Sequence, residues 1–337
     1  MKILIQKSVI LLLVTFNLGF LYAQKPIKFE SPEFEFNTAM ELFQKEKYGA
    51  AQQYFKYVYE NTPNKQQDIK SNSYFYIGVC AAQLYNEDAI YYLTDFIRLY
   101  PVHSLVPEAN YYLGKFYFYK KMYKNVIETF NKIDERNVRP HELAEYQFKK
   151  GYSFFATGKY PEAKTFMMRA KKAEGPYQLR ATYYLAHIAY EEKQYEAALA
   201  GFLELKDSYE YQSIIPYYVV QILFLQKKYE ELVSIAPPLY EKSNEKSKID
   251  IARSLGLAYY NLGKYKEGEP YFTFYLEKNK ANLDSNDCFA AGFTYYNVND
   301  FRKAIELLSQ TSKSTSIIGQ NSLYIIGDCY INLGQLS

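Results

Sequence analysis

Apolar residues recur at intervals of three and four along almost the whole chain from residue 33 onward, and short polar or glycine-bearing turns interrupt them. That period places them on one stripe of an α-helix. In "YYLGKFYFYKKMYKNVIETF", residues 111–130, the pattern has a fixed frame around Tyr123. A small residue stands nine before it (Gly114), an aromatic six before (Tyr117), an aliphatic three after (Val126) and a bulky residue seven after (Phe130). The frame returns at Tyr48, Tyr160, Tyr195, Tyr229, Tyr265 and Phe301, with a degenerate copy near Asn86 and Leu336 in the last slot, at spacings of 34 to 38 residues. The positions before the anchor make one helical stripe and those after it a second. Each unit therefore predicts a helical hairpin, and a hairpin with one face unburied must stack on its neighbours.

Gly114, Tyr117, Tyr123 and Phe130 match the signature of the tetratricopeptide repeat, and Pro63 and Pro101 stand where its units meet. Residues 33–337 resemble that family throughout, although the tryptophan of some of its units is absent. The resemblance implies an all-α, right-handed superhelical solenoid of antiparallel helix pairs, about eight and a half repeats long. "FIRLYPVHSLVPEANYYLGKFYFYKKMYKNVIETF" is similar, over about two units, to periplasmic repeats of the Tol–Pal coordinator and of the barrel-assembly lipoprotein. A lipidated cysteine and an N-terminal coiled coil, which those proteins carry, are lacking.

The aromatic density exceeds what the signature requires. Twelve before the anchor stand Phe36, Tyr111, Phe148, Tyr183 and Tyr217 among others, a row broken by Arg253; five before stand Phe43, Phe118, Phe155, Tyr190 and Phe224. Seven residues, two helical turns, separate the rows. In a tetratricopeptide superhelix the first helices line the concave groove, so these ten residues are the candidate partner-binding ladder. Two accounts are open: rings packing between successive repeats, or a platform for a ligand. Scattered carboxylates at the neighbouring slots (Glu33, Glu108, Glu145, Asp250) suit an extended peptide or protein segment better than a clamp for a C-terminal carboxylate.

The first 23 residues fall outside the repeat pattern. Lys2 and Lys7 precede an apolar run from Val9 to Leu21, and "LYA" precedes Gln24. This reads as a secretory signal peptide cleaved after Ala23, followed by a linker at 24–32, since the run is too short to span a bilayer. Removing it takes the formal charge from +3 to +1, which gives no electrostatic footprint for nucleic acid. The expectation is an exported, periplasmic chain with no stable membrane insertion.

No zinc motif, phosphate loop, nucleophile elbow or dinucleotide fingerprint is present, so neither an enzyme nor a cofactor is expected. His103, His141 and His187 lie far apart in the sequence, and the odd set Cys80, Cys288 and Cys329 is no disulfide framework, though a single Cys288–Cys329 pairing stays open. Pro237 and Pro238 fall within the second helix of the sixth unit, which predicts a break between an arm at 33–235 and another at 236–337, with a hinge as its functional reading. "GDCYINLGQLS", residues 327–337, reads as the first helix of an incomplete ninth unit. The expectation there is a longer repeat protein, or self-association through the uncapped end.

The function expected is therefore a non-enzymatic scaffold for protein or peptide partners in a bacterial envelope. The input domain of a larger transmembrane receptor and a glycan-binding solenoid are the alternatives.

Overall fold

The computed structural model describes residues 31–279 and 283–335. The signal-peptide reading and the Leu336 anchor lie outside the described residues. Those described form α-helices and a single 3-10 turn (Glu135–Asn137), with no strand among them. The fold class is all-α helical repeat, as the periodicity predicts.

The described part of the first compact unit ends at Val138. It contains α1 (Pro32–Gln44), α2 (Tyr48–Asn61), α3 (Gln67–Gln83), α4 (Ala89–Leu99), α5 (Val106–Tyr119) and α6 (Tyr123–Phe130). The second begins at Arg139. It contains α7 (Leu143–Ala156), α8 (Tyr160–Lys172), α9 (Pro176–Glu191), α10 (Tyr195–Glu204), α11 (Ile215–Leu225), α12 (Tyr229–Lys242), α13 (Glu245–Asn261), α14 (Tyr265–Lys278), α15 (Ser285–Asn297), α16 (Phe301–Thr311) and α17 (Ile317–Asn332).

Every first helix ends in the same way. The residue two before the anchor takes a left-handed conformation, with φ between 57° and 75°. The next N–H reaches back to the carbonyl five residues earlier, as in Lys47 to Leu42, Met122 to Tyr117 and Lys264 to Tyr259, each at 2.9 Å. These are Schellman closures, which satisfy carbonyls that a helix end otherwise leaves without donors. Glycine fills the left-handed position at Gly158, Gly263 and Gly334, while Glu46, Tyr85, Lys121, Lys193, Lys227 and Asn299 hold it with a side chain. Such residues bear a cost of about 1 kcal/mol that glycine avoids. The aromatic five before the anchor then packs on the anchor ring across the turn: Phe43 on Tyr48, Phe118 on Tyr123, Phe155 on Tyr160, Tyr190 on Tyr195 and Phe224 on Tyr229, with centroids 5.4 to 6.2 Å apart.

The small residue lies where the two helices cross. A Cβ built on Gly256 would stand 3.0 Å from the Phe272 ring, and one on Gly292 2.7 Å from Leu308 Cγ. The bulky residue seven after the anchor thus occupies the space that the glycine leaves. The sixth repeat reverses the roles. Val220 takes the small slot and Ala236 the bulky one, and both are fully buried. Bulk moves from one helix to the other and the seam stays filled.

That exchange bears on the expected break. α12 runs uninterrupted through Pro237 and Pro238 to Lys242, so the helix is not broken there. The two prolines remove the donors for the carbonyls of Val233 and Ser234 and crowd them, yet the helix continues. Leu232 and Ala236, both fully buried, hold the same helix in the core. The degenerate second repeat also has a physical explanation. Its first helix follows an anchor at 87, with Tyr85 left-handed, but the small residue Ala89 comes one position early. One residue is missing from the start of the second helix. All three cysteines are buried and free, so Cys288 and Cys329 are not paired.

Candidate protein-interaction surface

The expected ladder resolves into residues with different surroundings. Tyr111 and Phe148 are buried, and Phe36, Phe43, Phe118, Phe155, Tyr183, Tyr190, Tyr217 and Phe224 are half-buried. Six of them, Phe36, Phe43, Phe148, Phe155, Tyr183 and Tyr190, are covered by a third row, eleven before the anchor. Tyr76 of α3 packs against Phe36 and Phe43 of α1 and stacks on Phe55 of α2, at 6.4, 5.1 and 5.0 Å. Tyr184 of α9 meets Phe148, Tyr152 and Phe155 of α7 at 6.0, 4.9 and 5.0 Å. Tyr218 of α11 meets Tyr183, His187 and Tyr190 of α9 and stacks on Phe202 of α10 at 4.4 Å. In these three repeats a tyrosine is thus inserted between the two rows of the repeat before it. Edge-to-face and offset contacts at these distances each add about 1 kcal/mol beyond area burial.

The local electrostatics follow from that insertion. Burial pushes the Tyr183 phenol up, and its hydrogen bond with the Tyr218 hydroxyl, 3.4 Å away, acts in the same direction. His187 lies between Phe155 and Tyr218, and burial holds its imidazole below the usual value against a smaller opposing pull from Glu191. Its Nδ1 has no hydrogen-bond partner among the described residues. The neutral ring is therefore the stable form in this setting.

At the next junction the inserted ring is missing. The residue eleven before the anchor in α13 is Ser254, whose hydroxyl accepts a hydrogen bond from the Gln221 amide at 3.1 Å. Among the described residues, the ring contacts of Tyr217 and Phe224 are with Tyr218 and Tyr229 of their own repeat. The slots flanking them are also unusual. Where α9 and its approach carry Arg180 and Glu191, this repeat carries Ile214 and Leu225, exposed by 39% and 49%. Ile214, Tyr217, Phe224 and Leu225 therefore give α11 an apolar face along its length, with one amide, Gln221, in the middle.

The row-breaking Arg253 does not add a free cation to that face. Its guanidinium makes two bonds to the buried Asp287 carboxylate, at 2.6 and 2.9 Å, and the Tyr275 hydroxyl donates to the same carboxylate at 2.9 Å. Asp250 of α13 lies close enough to Tyr217 for its charge to add to the effect of burial in raising that phenol, and burial raises its own pKa. His103 is engaged by the Ser71 hydroxyl and the Leu105 N–H, at 3.1 and 3.2 Å. Among the described residues no cluster of three or more His, Cys, Asp or Glu could hold a metal ion, and no helix is long and apolar enough to cross a membrane.

The inserted row was missed in the sequence although a signal for it exists. It is the second member of an aromatic doublet, Phe75-Tyr76, Tyr111-Tyr112, Tyr183-Tyr184 and Tyr217-Tyr218, which is lacking at Phe148-Lys149 and again from Arg253-Ser254 onward.

No family profile and no curated protein matches the chain. Solved structures of tetratricopeptide type do resemble it in fold. The apo form of RapI matches at 14% identity and a TM-score of 0.48, over 91% of this chain and 99% of that one. Pseudomonas aeruginosa pilF matches at 15% and 0.44, over 65% and 96%. The APC/C hetero-tetramer Cut9–Hcn1 matches at 15% and 0.37, over 87% of this chain and 54% of that one. At these scores the likeness has no bearing on ligands.

Proposed function

We propose that this chain is a non-enzymatic scaffold that holds an extended segment of a partner protein over the apolar face of α11. The observation that carries the reading is the change from Tyr218 to Ser254 in the inserted row, which leaves Tyr217 and Phe224 without a ring from the next repeat. Exposed Ile214 and Leu225 extend the same face, and contiguous apolar surface of this kind marks interaction sites. An extended peptide suits it. Side chains on one edge of the segment meet the rings, and its backbone has Gln221 to hydrogen-bond with. The basic start and apolar run of residues 1–21 support export, so we place the scaffold in the bacterial envelope, on the periplasmic side.

Selection of displayed peptides on the purified chain tests this. Peptides rich in apolar and aromatic residues are expected, and Tyr217→Ala with Phe224→Ala should weaken them at least tenfold while the helical circular dichroism is kept. Selected peptides that bind the double variant as well as the parent would refute the assignment of the face.

A further inference from the structure

A site apart from the α11 face follows from comparing how successive second helices meet. Between α12 and α14 the seam is filled by rings. Tyr240, eleven after its anchor, stands edge-on to Tyr271 and Phe274, six and nine after theirs, at 5.5 and 5.8 Å. Tyr271 in turn stacks on Tyr259 of α13 at 5.8 Å. Between α14 and α16 the same three slots hold Leu276, Leu307 and Gln310. Shorter side chains replace three rings, and a pocket of about 410 Å³ lies there, walled by these three residues together with Leu283 and Tyr295. Its volume falls within the roughly 300–1,000 Å³ that small-molecule sites occupy.

The wall and the rim of the pocket differ in chemistry. Tyr295, in the slot of Tyr259, is buried, and its hydroxyl lies 2.7 Å from that of Thr273, which donates to the Glu269 carboxylate at 2.8 Å. The phenol is thereby fixed. Lys303 is also engaged, with its Nζ 4.8 Å from the Tyr295 ring centroid and 3.3 Å from the Asp300 carboxylate. Two carboxylates complete the lining, Glu277 from α14 and Glu306 from α16, the second where the filled seam has Pro270. Both are exposed, and neither has an ion-pair or hydrogen-bond partner among the described residues. A space vacated by rings thus opens between two uncompensated negative charges. We propose that this pocket binds a small aromatic amine. Its ring takes the place that Tyr240 takes at the preceding seam, against Leu276 and Leu307, and its ammonium group lies between Glu277 and Glu306.

The probe is tryptamine, an indole ring with an ethylammonium arm. The chain contains no tryptophan, so indole fluorescence excited beyond the tyrosine absorption reports on the ligand alone. Its anisotropy should rise saturably as the 337-residue chain is added. Leu276→Tyr returns the ring of the filled seam and should weaken binding at least tenfold, with an unchanged or higher thermal transition. Glu277→Gln with Glu306→Gln alters exposed side chains only and should weaken binding at least fivefold, which tests the charge even if Leu276→Tyr does not fold. Tryptophol, with a hydroxyl in place of the ammonium, should bind at least tenfold more weakly than tryptamine. Absence of saturable binding would overturn the proposal. So would undiminished binding in folded Leu276→Tyr or in the double glutamine variant, and so would tryptophol binding as tightly as tryptamine.

Discussion

The junctions on the two sides of α11 are built from the same frame and treat the same aromatic rows in opposite ways. Toward α9, Tyr218 fills the space between Tyr183 and Tyr190, stacks on Phe202 and encloses His187. Toward α13, Ser254 occupies the equivalent slot and accepts a hydrogen bond from the Gln221 amide, while Phe224 packs against the core that contains Leu257 without a ring inserted beside it. Aromatic residues at the ladder positions therefore have no single role. At these two junctions the difference lies in the residue eleven before the next anchor; elsewhere the covering ring comes from another slot, as where Phe293 packs on Tyr260.

The largest expected effect lies at the filled junction. Tyr218→Ala should cost about 2 kcal/mol of stability, less than deleting a fully buried aromatic because the ring is half-buried, read as a shift of the urea midpoint. A midpoint that does not move would mean that the inserted ring is not what joins α9 to α11. At the other junction Tyr217→Ala with Phe224→Ala should cost less than Tyr218→Ala alone, although two rings are removed. A larger loss would place them in the core and erase the contrast.

A smaller effect comes from the turns, which should not differ between the junctions. Lys193 and Lys227 close the first helices on either side with φ of 60° and 57°. Lys193→Gly and Lys227→Gly should each add about 0.5 to 1 kcal/mol. A gain at one position alone would show that the turns also distinguish the junctions.

The smallest effect is a pH dependence confined to the filled junction. Burial holds the His187 pKa below its ordinary value, so the unfolded chain takes up a proton more readily than the folded one. The contribution is complete above the ordinary pKa of about 6.5 and declines as pH falls from there toward the folded value. Glu191, 3.9 Å from the ring, reduces the decline. His187→Gln should flatten urea midpoints measured between pH 8 and 5. An unchanged slope would assign it to other groups.

Much of the fold was legible in the sequence because the small residue, the bulky residue and the turn recur at fixed offsets, and each has a steric cause. Gly256 is small because Phe272 is against it, and Gly263 is glycine because the closure is left-handed. One feature was misread for the opposite reason, since it depends on compensation between helices. The unbroken α12 follows from the burial of Leu232 and Ala236, which outweighs what Pro237 and Pro238 remove. The filled seam of the sixth repeat follows from Val220 and Ala236 exchanging bulk. The candidate surface was half legible: both aromatic rows were visible, but which members are covered depends on Tyr184, Tyr218 and Ser254 in neighbouring repeats.

The central claim is that at the two junctions of α11 the residue eleven before the next anchor decides between packing and binding, and transplanting the filled junction onto the open one tests it most directly. Ser254→Tyr with Gln221→His gives the α11–α13 junction the Tyr218–His187 pair of the α9–α11 junction. Titration of a peptide selected on the parent chain, followed by calorimetry, should show binding lost by more than tenfold, with stability equal to the parent or higher. Undiminished peptide binding in a stably folded double variant would contradict the claim.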